Sequence, residues 1–242
     1  MSPEFDQYSN AYHRSIAHPV RSLLESVGEN EFLRAKARWI DHWWTVTGRP
    51  SAARVLDYGC GTGLLTGYLH DLRPDWSYSG ADPSAGMIDA ARVTAPYADF
   101  SVLGVELAPF ADRLFDLVLM SGVCHHVPWK DWERTFARVR SALALRGTLL
   151  IFEHNPFNPL TQIVVRSTPI DRDAQMRTAS FVTSALQRFG FQVEARRYLH
   201  FFPPRLRALE RLERGLAWLP LGSQYLVEAR LSEEPVPQDV AR

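Results

Sequence analysis

The chain has 242 residues, 46% of them hydrophobic, which suffices for one domain with a sizeable buried core. Its 27 basic and 27 acidic residues balance, so the strong positive charge of nucleic-acid-binding proteins is absent and we expect no nucleic-acid partner. Two cysteines, Cys60 and Cys124, form neither a disulfide framework nor a C-x-x-C metal site.

The apolar runs are too short to cross a membrane. The most apolar of them, Leu114 to Val123, falls well below the ~20 residues that a membrane-spanning helix needs. The first residues, Met1 to Asn10, are polar and acidic and lack the basic and apolar regions of a signal peptide. We therefore expect a cytoplasmic protein without stable membrane insertion.

Aromatic residues mark the N-terminal region, residues 1–50, which we predict to be a helical cap. Phe5, Tyr8 and Tyr12 are spaced as on one helical face, either packed on the domain or closing over a bound ligand. A second helix is predicted over Glu31–Val46. Its apolar stripe comprises Phe32, Ala35, Trp39, Trp43 and Val46.

A glycine-rich turn joins a short apolar strand, Arg54 to Leu56, to a predicted helix over Leu64–Leu72. Asp57 ends the strand. Glycine occupies three alternate positions of the turn, namely Gly59, Gly61 and Gly63. Strand, glycine turn and helix in this order form the entry to a nucleotide-binding crevice. A dinucleotide fingerprint needs its third glycine at position 64, which is Leu64, so the spacing disfavours NAD.

Beyond the turn, strands and helices alternate in the manner of a doubly wound α/β sheet. The predicted strands are Tyr78–Ala81, Asp99–Leu103, Phe115–Ser121, Gly147–Phe152, Phe191–Tyr198 and Gln224–Ala229. The predicted helices are Ala85–Val93, Trp132–Leu143 and Phe181–Phe189. The domain is assigned to residues 51–231, with insertions at 154–180 and 199–222 and a disordered tail at 232–242.

The D-x-G-x-G-x-G run from Asp57 to Gly63, the acid Asp82 after the second strand and the Phe115-Asp116-Leu117-Val118 strand resemble the class I S-adenosylmethionine-dependent methyltransferases. The resemblance covers Arg54 to Glu153. It implies a seven-stranded Rossmann-like sheet of order 3-2-1-4-5-7-6 with the last strand antiparallel. It also implies S-adenosylmethionine as cofactor, S-adenosylhomocysteine as product and a small-molecule methyl acceptor.

Within this resemblance, Asp82 is expected to accept the two ribose hydroxyls and Asp57 to orient the ammonium of the cofactor. The cofactor-binding residues predicted in full are Tyr8, Tyr12, Asp57, Gly59, Cys60, Gly61, Asp82, Pro83, Met87, Val105, Glu106 and Ser121. The chain departs from the family at Gly104, where an acid often meets the adenine amino group. Backbone groups at Val105, or the side chain of Glu106, are the alternatives here.

The acceptor half of the site is assigned to His125, His126 and Glu153, which follow the fourth and fifth strands. In a doubly wound sheet the ends of these strands flank the crevice. A neutral imidazole suits the deprotonation of a hydroxyl acceptor, and the alternative is that the two histidines hydrogen-bond a strand or helix end. A zinc site that adds His154 lacks a suitably spaced carboxylate or cysteine, so no metal is expected.

Two questions stay open in the sequence. Arg166 and Arg172, in the first insertion, are either solvated or available to an anionic substrate group. The amphipathic segment Arg205 to Trp218 suits a lid, a homodimer contact or an interfacial membrane helix. Two rival functions are an NAD-type oxidoreductase and a non-catalytic S-adenosylmethionine-binding protein. The oxidoreductase is further disfavoured because this sequence lacks a Tyr-x-x-x-Lys pair.

Overall fold

The protein was analysed as a computed structural model, which describes residues 31–104, 110, 112–168, 171, 174–202 and 209–233. The described residues form one seven-stranded sheet of order β3-β2-β1-β4-β5-β7-β6. Only β7 runs antiparallel to its neighbours, β5 and β6. The doubly wound fold class and the strand order expected from the sequence are both confirmed.

The strands are β1 (Arg54–Tyr58), β2 (Ser77–Asp82), β3 (Asp99–Val102), β4 (Phe115–Ser121), β5 (Leu143–His154), β6 (Phe191–Leu199) and β7 (Gln224–Leu231). The helices are α1 (Glu31–Val46), α2 (Leu64–Leu72), α3 (Ala85–Thr94), α4 (Trp132–Ala142), α5 (Pro159–Ser167), α6 (Ala179–Arg188) and α7 (Glu210–Leu216). Most bounds lie within two residues of the prediction, although β5 begins four residues earlier than expected.

Both faces of the central strands are covered by helices, which explains their nearly continuous apolar sequences. Along β4, Val118 and Met120 pack with α4 and α6 on one face of the sheet. Leu117 and Leu119 pack with α1 and α2 on the other face. Because side chains alternate along a strand, each central strand contributes residues to two hydrophobic cores, one on each side of the sheet.

Helix α1 has the predicted bounds but turns a different face to the sheet. Its buried residues are Lys36, Ala37, Ile40, Trp43 and Trp44. Val46, predicted in the apolar stripe, is 64% exposed. The prediction followed the aromatic residues, and it missed the buried face because that face also contains a lysine.

The first insertion contains a helix, α5, that was not predicted from the sequence. Pro159 lies in the first turn of α5, where a missing backbone N–H costs nothing. The side chain of Asn158 caps the helix by accepting from the N–H of Thr161 at 3.0 Å. The proline therefore starts this helix.

The second insertion contains α7, which is tied to the end of β6 by one carboxylate. Glu213 accepts hydrogen bonds from the backbone N–H groups of His200, Phe201 and Phe202, at 2.9 to 3.2 Å. The contact holds α7 close to the edge of the sheet where β6 ends.

Several sequence predictions concern residues outside the described part of the chain. They include the first thirty residues of the predicted cap and the tail from residue 234 onward, and these stay predictions. None of the helices in the described ranges combines the length and apolar character needed to cross a membrane.

Candidate active site

The glycine turn after β1 is held against the end of β2 by its backbone. The N–H groups of Gly59 and Cys60 both donate to the carbonyl of Ala81, at 2.6 and 3.1 Å. Gly59 has a φ of +79°, a conformation that side-chain-bearing residues rarely adopt. A Cβ atom there would lie 2.4 Å from a methyl carbon of Val123. The turn thus packs directly on the segment that carries the two histidines.

Asp82, at the end of β2, is locked beside this turn. One carboxylate oxygen accepts from the N–H of Gly61 at 3.0 Å and the other accepts from the N–H of Ser84 at 2.9 Å. The position of a Cβ on Gly61 has no described atom within 4 Å. A fixed carboxylate beside open space matches what a ribose with two hydroxyls requires, so these residues fit the expected cofactor.

Asp57 is buried at the end of β1, and Thr66 donates to its carboxylate at 3.0 Å. Burial, with a smaller contribution from the charge of Asp82, raises the pKa of Asp57 to about 6. The hydrogen bond from Thr66 and the charge of Lys36 oppose this shift. Asp57 therefore changes its charge not far below neutral pH.

Lys36 reaches the site from α1 and was not predicted from the sequence. The side chain is buried, and its ammonium donates to the hydroxyl of Ser121, at the end of β4, at 2.8 Å. A signal was available, since Lys36 and Lys130 are the only two lysines in a chain otherwise rich in arginine. The lysine brings a positive charge to the carboxyl ends of the strands.

The other predicted cofactor residues are only partly described. Cys60 and Met87 are buried and Pro83 is exposed beside Asp82. Gly104 presents its carbonyl to Arg138 at 2.9 Å. Tyr8, Tyr12, Val105 and Glu106 lie outside the described residues. The cofactor contacts assigned to all of these residues remain predictions.

Glu153, at the end of β5, organises the turn that follows β4. One carboxylate oxygen accepts from the backbone N–H groups of Val123 and Cys124, at 2.9 and 2.7 Å. The other lies 2.5 Å from Nδ1 of His125. An ionised carboxylate only accepts, so Nδ1 of His125 is the donor. Glu153 therefore caps the 3₁₀ turn Cys124–His126 and fixes the ring of His125.

His125 lies between two carboxylates, Glu153 and Asp171, which stabilise its protonated form. Burial opposes its charged form, but Glu153 and Asp171 together outweigh burial and raise the pKa of His125 to about 10. Burial works against Glu153 as well, and the charge and hydrogen bond of His125 keep the pKa of Glu153 below its ordinary value. These surroundings favour a positioning role for His125.

His126 is the more accessible of the two histidines and is paired with Asp171. Its side chain is 23% exposed, and Nε2 lies 3.2 Å from a carboxylate oxygen of Asp171. The N–H of Gln175 donates to the carbonyl of His125 at 2.8 Å, which holds this part of the first insertion against the turn. Sequence reasoning missed Asp171 because it lies 45 residues beyond His126, in an insertion whose position depends on these contacts.

Of the remaining predicted residues that the structure describes, His154 lies next to the cluster and Arg166 does not join it. Burial, followed by the charge of His125, lowers the pKa of His154 to about 4, so its imidazole is neutral at neutral pH. The ring centroids of His125 and His154 are 5.1 Å apart. Arg166 is exposed on α5, and Arg172 lies outside the described residues.

Comparison with known families gives one match to a family model, described as a methyltransferase domain, over residues 55–147. Among curated proteins, the trans-aconitate 2-methyltransferase of Variovorax paradoxus is 35% identical over 102 residues, which are 42% of this chain and 39% of that protein. The chain thus matches well under two thirds of that relative's length. The malonyl-[acyl-carrier protein] O-methyltransferase of Geobacter sulfurreducens is 29% identical over 75% of this chain and 73% of that protein.

Among solved structures, the magnesium protoporphyrin IX methyltransferase of Synechocystis PCC 6803, with bound S-adenosylhomocysteine, aligns with a TM-score of 0.57 at 17% identity. The alignment covers 82% of this chain and 83% of that one. At this identity the likeness concerns the fold.

Replacing Gly59 with alanine should destabilise the protein strongly. The new Cβ would overlap Val123 and impose an unfavourable φ, for a combined cost of about 2–4 kcal/mol. Gly61→Ala is the matched control because its φ is also positive, at +52°, but its Cβ would meet no described atom. We expect it to cost about 1–2 kcal/mol. Urea unfolding measures both, and equal losses would show that contact with Val123 is unimportant.

Proposed function

We propose that the chain is a class I S-adenosylmethionine-dependent methyltransferase that methylates a small molecule at oxygen or nitrogen, which is supported by the match to a methyltransferase domain and by the Geobacter relative. The main observation that supports the proposal is the packing of the glycine turn on Val123. This contact brings a carboxylate suited to a ribose next to a turn that bears two histidines. A donor half and an acceptor half are thereby joined in one crevice.

The donor half consists of residues that hold S-adenosylmethionine without taking part in bond changes. In this proposal Asp82 accepts the ribose hydroxyls and Asp57 attracts the ammonium, which is supported by the position of both acids beside the glycine turn. The glycines allow the cofactor to approach the backbone closely. When bound, the cofactor supplies a strongly electrophilic methyl group on its sulfonium.

The acceptor half depends on the turn Cys124–His126. Methyl transfer to a well-placed nucleophile is an in-line displacement, so positioning provides much of the acceleration. A hydroxyl acceptor must also lose a proton, for which His126, oriented by Asp171, is the accessible imidazole. His125 and Glu153 hold the turn in place. The name of the Geobacter relative specifies O-methylation, which favours oxygen as the atom methylated here.

Titration with S-adenosylhomocysteine and with NAD, followed by tryptophan fluorescence, tests the donor half. We expect saturable binding of S-adenosylhomocysteine and none of NAD, because Leu64 replaces the third glycine that a dinucleotide needs. Binding of NAD alone would contradict the proposal.

Activity is tested with radiolabelled donor and a panel of hydroxyl, carboxyl and amine acceptors. Transfer to one acceptor class supports an enzyme. Binding of S-adenosylhomocysteine with no transfer across the panel would favour the non-catalytic alternative. Cytoplasmic location and a homodimer remain predictions that neither experiment addresses.

Asp82→Asn should weaken the binding of S-adenosylhomocysteine by about 1–3 kcal/mol, because a charged acceptor for the ribose hydroxyls is lost. Isothermal titration calorimetry measures the change. Asp75→Asn is the matched control, since Asp75 is exposed on the loop between α2 and β2. We expect it to bind like the wild type. An unchanged affinity in Asp82→Asn would move the ribose contact elsewhere.

Binding of S-adenosylhomocysteine should weaken as the pH falls from about 7 to about 5, because Asp57 loses the charge that attracts the ammonium. The charged groups that act on Asp57 are Asp82 and Lys36. Asp57→Asn should abolish most of this dependence in calorimetric titrations. The same dependence in the variant would exclude Asp57 as its origin.

As the pH falls, ligand binding should weaken, but the contribution of Asp57 to the unfolding free energy of the ligand-free protein should increase. The pKa of Asp57 is higher in the folded than in the unfolded protein, so the folded state binds the proton more tightly. The contribution of Asp57 to stability is therefore greatest at low pH and declines as the pH rises through about 6. Comparing urea unfolding of the wild type and Asp57→Asn measures it.

A further inference from the structure

Three side-chain atoms from the turn after β4 and the first insertion converge on one point. They are one ring nitrogen each of His125 and His126 and a carboxylate oxygen of Asp171, and all lie within 4.8 Å of one another. The oxygen is 3.6 Å from Nε2 of His125 and 3.2 Å from Nε2 of His126. Sequence spacing alone did not reveal this carboxylate.

The spacing of the three groups is compatible with ligands of a common ion. At 3.6 Å, His125 and Asp171 are beyond hydrogen-bonding distance. Nε2 of His125 is buried and has no hydrogen-bond partner among the described residues. An ion with bonds of about 2.1 Å holds neighbouring ligand atoms about 3.0–3.4 Å apart. Small side-chain movements would bring the three atoms into that geometry.

The ring of His125 is already oriented as a metal ligand requires. Its Nδ1 donates to Glu153, so Nε2 is the ring nitrogen that faces the point of convergence, and it would release its proton when an ion binds. Glu153 is itself fixed by the N–H groups of Val123 and Cys124. Metal-bound histidines in proteins almost always have such a partner on the other ring nitrogen, because it sets the tautomer and the ring orientation.

We propose that His125, His126 and Asp171 bind one divalent first-row transition-metal ion, with Glu153 supporting His125. Two imidazole nitrogens and one carboxylate oxygen suit Zn²⁺, Co²⁺ or Fe²⁺ rather than Mg²⁺ or Ca²⁺, which prefer oxygen ligands. Three protein ligands also leave coordination positions open, as in catalytic rather than structural metal sites.

The role of the ion follows from its place and rests on the proposed function. The turn that carries both histidines begins next to Val123, against which Gly59 of the donor half packs. An open coordination position there is available to an oxygen atom of the acceptor. The expected acceptor class is therefore a hydroxyl or carboxylate compound, which the ion would hold in place. A hydroxyl bound to the ion would lose its proton more readily, so the ion would take over the role that the proposed function gives to His126.

The test uses metal-free full-length protein titrated with Co²⁺ and followed by calorimetry and visible absorption. We expect one ion per chain, with an absorption spectrum typical of nitrogen and oxygen ligands. Asp171→Asn and His126→Gln should each weaken Co²⁺ binding at least ~10-fold, and Glu153→Gln should weaken it ~10–100-fold through lost orientation. His42→Gln, at an exposed position of α1, is the matched control and should bind as the wild type does.

Two results would overturn the proposal. One is failure of the wild type to bind Co²⁺. The other is unchanged binding in both Asp171→Asn and His126→Gln, with circular dichroism showing that each is folded. Asp171 and His126 were chosen for substitution because their side chains are partly exposed, so the variants should fold, whereas His125 is buried in the core.

A parallel titration with S-adenosylhomocysteine separates this proposal from the proposed function. Binding of S-adenosylhomocysteine without Co²⁺ contradicts only the metal site. Binding of Co²⁺ without S-adenosylhomocysteine supports the metal site and contradicts the donor half.

Discussion

The buried carboxylate of Glu153 is the interaction on which the acceptor side of this site depends. It accepts two backbone N–H groups and the ring of His125 at once, so one side chain of β5 determines the conformation of the turn after β4. A carboxylate removed from water is costly unless charge and hydrogen bonds compensate. Here both are present, and the loss of either partner would leave the other buried with only part of its compensation. The pair therefore fixes geometry more than it adds stability.

A second constraint, steric rather than electrostatic, joins this turn to the donor side. Gly59 lies so close to Val123 that only the absence of a side chain permits the contact. The glycine turn and the turn that contains the histidines are consequently in direct contact, and neither can move closer to the other. Rigid placement of donor and acceptor is what an in-line displacement needs, so the packing of these two turns has a direct chemical consequence.

The sequence predicted the parts of this arrangement that depend on local pattern or on the order of strands. Apolar runs located the strands, and the rule that parallel strands end at one edge placed His125 near Glu153. What it missed depends on tertiary contacts. On α1 the prediction followed the aromatic residues and missed Lys36, whose buried ammonium donates to Ser121 on a distant strand. Asp171 reaches the site only because the backbone of the first insertion docks on His125.

The distribution of charge across the site has a consequence for the proposed reaction. Asp57 and Asp82 favour a cationic donor, but a group that stabilises the sulfonium itself would also stabilise the ground state and slow transfer. The structure places these two acids at the ends of β1 and β2, where the proposal pairs them with the ammonium and the ribose. Neither of those groups changes charge as the methyl leaves. The proposed contacts of the two acids therefore do not favour the transition state over the bound donor, and acceleration has to come from the relative placement of donor and acceptor and from groups that contact the acceptor.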